Sequence, residues 1–282
     1  MLPHAVAAET TATVTILEGE AALVRGTTRY ILAEGVRLQQ GDIVHTADKG
    51  LVRLEFNDGS MLDLGPGVRL LTTSAASRKS QSDPGWQHTL LSGFIKLTCG
   101  KQAKVSHRLS TPQVDLTASN AVAVVQASAS DVSLFVESGE ALITEPVPKS
   151  GNMTVRVKGG DFYTRKNAQK GAIAPRPPQA FIGALPRGFL DTIPSRSARF
   201  KERQVAPKRA AEVSYGDIEM WLKAEREMRR FLLRRWQPRA RDPEFRSALV
   251  ANLKHHPEWD PILFPEKYRP KEEKSAAPAA TE

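Results

Sequence analysis

Between residues 14 and 71 the chain runs in short alternations of apolar and polar residues, broken by glycines and by one turn sequence, Asn57-Asp58-Gly59-Ser60. Val52, Leu54 and Phe56 lead into that turn, and Leu62 and Leu64 lead out of it. Period-two alternation sends successive side chains to opposite faces, so the pattern predicts an antiparallel hairpin with one buried face. The Asp-Gly pair predicts a type I′ turn, whose two central residues both need positive φ. A β-branched residue at Gly59 should then be strained.

The surrounding signatures come in a fixed order. Gly19-Glu20-Ala21 and Val24-Arg25-Gly26 precede the run from Gly35 to Thr46 (Gly-Val-Arg-Leu-Gln-Gln-Gly-Asp-Ile-Val-His-Thr). Gly50, the run from Val52 to Phe56, Asp58-Gly59-Ser60 and Leu64-Gly65-Pro66 follow. Later come Leu91-Ser92-Gly93-Phe94-Ile95, Ser110-Thr111-Pro112, a strand from Val132 to Val136, and Ser138-Gly139-Glu140. Taken together, residues 13–145 resemble the FecR domain family of Gram-negative envelope proteins. The resemblance implies a mainly β fold, a β-sandwich or jelly roll in the periplasm or secreted, followed here by a small helical C-terminal region. It implies no catalytic chemistry, no metal and no cofactor. Membrane-anchored anti-sigma members of that family carry a transmembrane helix ahead of the domain, and no run here approaches the roughly 20 apolar residues such a helix needs.

Three segments share one local grammar: Leu17 to Val24, Leu91 to Leu97 and Glu137 to Ile143 each place a glycine ahead of an apolar-rich strand. Glycine's freedom in φ suits a bend or bulge, so these read as corners of one sandwich. Residues 73–87 read as a long surface loop, and residues 155–158 and 162–164 as closing strands. The expected organisation is a terminal segment at 1–12, a β-domain at 13–169, a Pro/Arg-rich linker at 170–212, a helical domain at 213–269 and a disordered tail at 270–282. Val6-Ala7-Ala8 looks like the end of an export signal whose earlier part is missing; a plain disordered N-terminus is the alternative. The one cysteine, Cys99, alternates with Ile95 and Leu97 and reads as a buried structural thiol.

Charge is unevenly placed. Residues 1–150 hold 13 Lys+Arg against 15 Asp+Glu, and residues 151–282 hold 27 against 16, so the net +9 belongs to the C-terminal half. There, Ser214 and Asp217 have capping-box spacing ahead of one long helix, with Ile218, Trp221, Leu222, Met228, Phe231, Leu232 and Trp236 on its apolar stripe. A second helix starts at Asp242-Pro243-Glu244 and buries Phe245, Leu249 and Leu253.

Arg226, Arg229, Arg230, Arg234 and Arg235 recur along the first of these helices and form the candidate binding face, since guanidinium groups pair with phosphates and carboxylates. The alternative is a solvated face paired with Glu225 and Glu227. Base-reading modules and aromatic platforms are missing, so no nucleic acid is expected. His255 and His256 beside Glu258 and Asp260 lack zinc-motif spacing and read as a helix C-terminal cap. Asp42, Asp48, Glu55, Asp58 and Asp63 fall at turns or on the hairpin's polar face, where acids serve solubility rather than glycoside hydrolysis. No nucleophile elbow or phosphate loop is present. The leading expectation is a non-enzymatic envelope binding or scaffolding protein whose partner is an envelope protein or an anionic envelope polymer. A signalling component related to iron-uptake regulators is the alternative, and an envelope glycan hydrolase a third. Oligomeric state is left open.

Overall fold

The computed structural model describes residues 10–74, 85–100, 106–147 and 151–268. The chain divides into one compact unit that ends at Val213 and another that begins at Ser214. The expected tail and most of the terminal segment and of the 73–87 loop lie outside the described residues. The described parts of the last two are strand: β1 begins at Thr10, and residues 73–74 and 85–87 belong to β8 and β9.

The first unit is mainly β. Its described strands are β1 (Thr10–Glu18), β2 (Ala21–Arg25), β3 (Thr28–Ile31), β4 (Arg37–Gln39), β5 (Ile43–Thr46), β6 (Leu51–Glu55), β7 (Met61–Leu64) and β8 (Arg69–Ser74). They continue with β9 (Gly85–Thr98), β10 (Ser106–Ser110), β11 (Asp115–Ala127), β12 (Asp131–Val147), β13 (Gly151–Lys158), β14 (Phe162–Lys166), β15 (Ala172–Ala174) and β16 (Lys208–Glu212). All belong to one hydrogen-bonded sheet folded over on itself. One layer runs β16-β3-β2-β5-β8, then the first half of β9, β10, the first half of β11, the second half of β12 and β13. The other runs β4-β1-β6-β7, then the second half of β9, the second half of β11, the first half of β12, β14 and β15. Neighbours are antiparallel except β9 and β10, which are parallel. A single apolar cluster draws on both layers, with Leu23, Val44, Leu70, Leu90 and Ile143 from the first and Val14, Val52, Leu54, Leu62, Leu64, Ile95 and Val125 from the second.

The layers are joined by strands that cross between them. β9 turns at Gly93 (φ +97°), β11 at Asn120 (φ +60°) and β12 at Gly139 (φ +77°), and each strand changes partners at that point. The glycine grammar therefore marks corners, but Gly93 and Gly139 sit inside long strands rather than at strand entries. Of the three, Gly19 alone separates two strands. Gly139 also lies where a Cβ would come within 2.2 Å of the Asn120 carbonyl oxygen, so two backbones meet there with no room for a side chain.

The hairpin of β6 and β7 forms in the expected register, Val52 opposite Leu64 and Leu54 opposite Leu62, and Phe56 joins the core. Its turn differs from the type I′ prediction. Gly59 has φ +81° but Asp58 is not at positive φ. The Gly59 N–H donates to the Phe56 carbonyl at 3.1 Å, and the Phe56 N–H to the Ser60 carbonyl at 2.9 Å. This is a three-residue loop, with Asn57 and Asp58 in the turn and Gly59 as the left-handed residue that closes it. The Asp58 carboxylate accepts the Ser60 N–H at 2.9 Å, which explains acid at that position.

The segment 170–212, expected as a linker, is part of this unit. The Gly171 N–H donates to the buried Glu145 carboxylate at 3.1 Å, and β15 extends the sheet beside β14. Helix α1 (Gln179–Ala184) and the following turn bury Phe181 and Phe189 against Val124 and Phe162 on the outside of the second layer. Each such phenyl ring contributes roughly 2–3 kcal/mol of transfer free energy. Farther along, the Lys96 ammonium donates to the Phe189 carbonyl and Arg53 to the Ile193 carbonyl, at 2.8 and 2.7 Å. The strap ends as β16, paired with β3. The prolines at 175, 177 and 178 stiffen a segment lying on the sheet rather than a joint between bodies.

The second unit is helical: α2 (Tyr215–Leu222), α3 (Arg226–Trp236), α4 (Pro243–Ala251) and α5 (Asp260–Leu263), with short 3-10 turns between them. The expected single long helix is interrupted at residues 223–225. The capping box is present, with the Asp217 N–H donating to Ser214 Oγ and the Ser214 N–H to the Asp217 carboxylate. Asp242 caps α4 by accepting the Phe245 N–H at 2.9 Å. Ile218, Trp221, Leu222, Leu232, Trp236, Phe245, Leu249, Trp259 and Leu263 are buried. α4 ends before Leu253, which is half-buried in a 3-10 turn. Among the described residues no helix is long and apolar enough to cross a membrane.

Candidate binding face on the C-terminal helices

Helix α3 carries all five candidate arginines but divides them. Leu232 and Trp236, four residues apart, face the core of the second unit. On another side, Arg226, Arg230 and Arg234 repeat the same spacing and are exposed. Phe231, expected on the apolar stripe, has 56 % of its surface exposed. Arg229 is turned inward. It forks onto the Glu258 carboxylate and donates to the Ala224 carbonyl at 2.7 Å, which ties the start of α3 to the turn before α5. Arg235 is half-buried as well. The pairing expected with Glu225 and Glu227 gives way, for Arg229, to an acid 29 residues later.

A mostly buried guanidinium–carboxylate fork costs more to break than an exposed pair. Replacing Arg229 by Met should lower stability by about 1–3 kcal/mol, because Glu258 keeps its charge and loses its partner. Arg230→Met should change the urea midpoint by less than about 0.5 kcal/mol equivalent. Equal effects would remove the distinction between the two faces.

The histidines of this unit are placed differently from the cap reading. His256 is buried in the core and lies 3.4 Å from the Tyr215 hydroxyl through Nε2, while His255 is exposed. Burial, its largest influence, holds His256 below the usual imidazole range.

Of the five acids singled out in the β-unit, Asp42, Glu55 and Asp63 are buried rather than solvated. Asp42 is buried, accepts two hydrogen bonds from Arg25 at 2.9 and 2.6 Å, and accepts the Gln39 N–H at 2.8 Å. Asp63 is buried in a two-point pair with Arg53, at 2.6 and 2.9 Å. Glu55 accepts from Thr15 Oγ1 at 2.7 Å, from the Arg196 and Ser197 N–H groups at 2.8 and 3.1 Å, and from Ser195 Oγ. The expected polar face of the hairpin is thus a second buried face, covered by the strap. With every oxygen committed to strap or sheet donors, these carboxylates act as fasteners. Asp48 is exposed, as expected for an acid at a turn.

One buried cluster left no trace in the sequence pattern. His88 on β9 and His107 on β10 stack with ring centroids 5.7 Å apart, His88 Nε2 lying 3.4 Å from His107 Nδ1. His107 Nε2 faces the Asp58 carboxylate at 3.7 Å, and the Trp86 indole N–H donates to the same carboxylate at 3.3 Å. Phe56 packs against all three rings. Burial, then the neighbouring His107, pushes His88 down to about 3. His45 is likewise pushed down to about 3 by burial and then by Arg69 and Arg29. Burial alone would raise Asp58, but the facing His107 ring and the hydrogen bond from the Ser60 N–H hold it below the usual carboxylate range. Among the described residues no group of three or more His, Cys, Asp or Glu is arranged to hold a metal ion. Cys99 is a buried thiol whose pKa burial raises.

These two histidines give stability a pH dependence of definite sign. Each is neutral when folded and takes up a proton when unfolded below its ordinary value of about 6.5, so the unfolded chain binds more protons between about 6.5 and 3. Stability should decline as pH falls through that window, by up to about 1.4 kcal/mol per pH unit for each histidine. Urea unfolding at pH 7, 6 and 5 measures the slope, which should be shallower in His88→Gln. A slope unchanged by that substitution would mean that His88 titrates alike in both states.

With this architecture in view, the first unit is a folded-over β-domain, and part of it matches a known family. Residues 42–142 match the family model described as FecR protein, a span that runs from β5 into β12 and holds all three corner positions. This is the family that the ordered motifs resemble. No curated protein matches the chain. Two crystal structures of a candidate anti-sigma factor from Parabacteroides distasonis ATCC 8503 superpose with a TM-score of 0.35, at 13 % and 14 % identity. The likeness covers 46 % of this chain and 56 % and 57 % of theirs, so the chain spans little more than half the length of those proteins. So loose a superposition carries no weight for fold or function.

Proposed function

We propose that this chain is a non-enzymatic regulatory module of FecR type, working outside the cytoplasm, in the periplasm or secreted, by holding a protein partner. The observation that carries the reading is the family match at residues 42–142, which falls on the structural centre of the β-unit. The commitment of Asp42, Glu55 and Asp63 to internal donors supports a non-catalytic role, since groups so engaged are not available as acid or base. The family match favours signalling over the scaffolding role that was the leading expectation from the sequence. The test is transcript profiling of a strain lacking this chain, with and without complementation. A regulator's loss should change a coherent set of transcripts several-fold and complementation should restore them. Unchanged transcripts together with altered envelope permeability would overturn the reading in favour of scaffolding.

A second reading rests on Arg226, Arg230 and Arg234, three exposed cations at four-residue spacing on one helix face. Such a face suits an anionic envelope polymer, which guanidinium groups would bind through its acidic groups. Changing the three arginines to Gln should cut co-sedimentation with purified cell wall at least tenfold at low salt while the melting curve stays in place. Equal recovery of parent and variant would remove this reading.

A further inference from the structure

The described sheet ends at four strands, and they differ in how well they are closed to further pairing. β4 and β15 are three residues long. β16 carries Lys208 and Arg209 and has a register break between Arg209 and Ala211, both of which discourage an added strand. β13 has basic residues only in its last three positions, Arg156 and Lys158, and no register break. It is eight residues long, contains no proline, keeps an unbroken register with β12 from Lys158 opposite Glu140 to Gly151 opposite Val147, and pairs among the described residues with β12 alone.

Its backbone fixes which groups are open. The Gly159 N–H donates to the Gly139 carbonyl on β12 at 2.8 Å, so by the two-residue period the odd positions of β13 turn their N–H and C=O groups toward β12. The even positions turn theirs outward. Of these, Lys158 is already used: its N–H meets the Asp161 carboxylate at 3.2 Å and its carbonyl accepts the Asp161 N–H at 2.9 Å. Asn152, Thr154 and Arg156 remain, centred on Thr154.

We propose that β13 pairs antiparallel with β13 of a second copy of this chain, about a two-fold axis through Thr154. This register sets Thr154 opposite Thr154 and Arg156 opposite Asn152 on both sides of the axis, so all three open residues exchange hydrogen bonds. Like charges never face each other, and opposed threonines are a favourable cross-strand pair. Moving the axis to Arg156 would oppose two guanidinium groups. Moving it to Val155 would spend one pair on Lys158, whose groups are taken. On the inner face the chosen register opposes Met153 and Val155, continuing the apolar side of the sheet.

One added edge buries less than a standard interface, so dissociation constants on the order of 10–100 μM are expected. Sedimentation equilibrium of the full chain between 1 and about 500 μM should show the 31.0 kDa monomer giving way to a dimer. Thr154→Pro removes an outward N–H while sparing the bonds to β12, and Thr154→Lys opposes two ammonium groups across the axis. Either variant should raise the dissociation constant at least tenfold with the melting temperature unchanged. Should the proline disturb the hairpin, the lysine variant decides. A parent that stays monomeric throughout, or a folded Thr154→Lys chain that dimerises as well as the parent, overturns the proposal.

Discussion

Gly139→Ala is expected to cost at least about 4 kcal/mol, or to prevent folding altogether, which would place it among the most damaging single methyl additions in the molecule. Left-handed backbone alone accounts for only about 1–2 kcal/mol of this in a non-glycine residue. The rest comes from the position of the new methyl group, 2.2 Å from the Asn120 carbonyl oxygen and 2.9 Å from the Ala121 Cα, both backbone atoms with no rotamer to adopt. The only relief is to part β11 from β12 at their shared corner. Gly59→Ala is the control: its φ is +81°, yet nothing lies within 4 Å of the added carbon, so about 1 kcal/mol is expected. Urea denaturation of the two variants measures the difference. Comparable losses would show that conformational strain dominates and that the corner has slack.

Asp63→Ala should cost about 3–5 kcal/mol, because it leaves the Arg53 guanidinium buried without its carboxylate. Burial works against the charge on Arg53, and the hydrogen bonds and attraction of Asp63 more than offset it. Arg53 also donates to the Ile193 carbonyl, so the damage should extend to the strap, and trypsin should then cut at Arg196, Arg199 or Lys201. The double substitution Arg53→Met with Asp63→Leu should recover most of the stability, since removing both charges leaves none to desolvate. A double variant no more stable than Asp63→Ala would mean that the pair orders the strap through contacts other than its charge.

The legible parts of this fold were those with a period. The core of the β6–β7 hairpin follows from alternation, and the corner glycines from their repeated setting before apolar runs. Asp58-Gly59 announced a turn, but the dipeptide fits both a two-residue and a three-residue loop, and only the Phe56 to Gly59 hydrogen bond separates them. The strap was illegible because its anchors pair residues about 140 apart, Arg53 with Ile193 and Glu55 with Ser195 to Ser197, and such contacts leave no local rhythm. One error thus produced two: a linker was expected where a covering layer lies, so the acids beneath it were read as solvated. The candidate face was half legible. All five arginines of α3 read as one face from the sequence, whereas Arg226, Arg230 and Arg234 are exposed and Arg229 is held by Glu258, a partner 29 residues away that no local spacing announces. His88, His107 and Asp58 come from three separate stretches and had no signal at all.

Strands β9, β11 and β12 are continuous through both layers, and this has a mechanical consequence. Two sheets that merely stack can slip past each other along the apolar plane between them, at the expense of side-chain contacts alone. Here slippage would have to stretch three covalent backbones at their bends and shear the ladders on both sides together. The β-unit should accordingly respond to load as a stiff block, so a force applied to it must move the block as a whole or peel away the strap fastened to its outside.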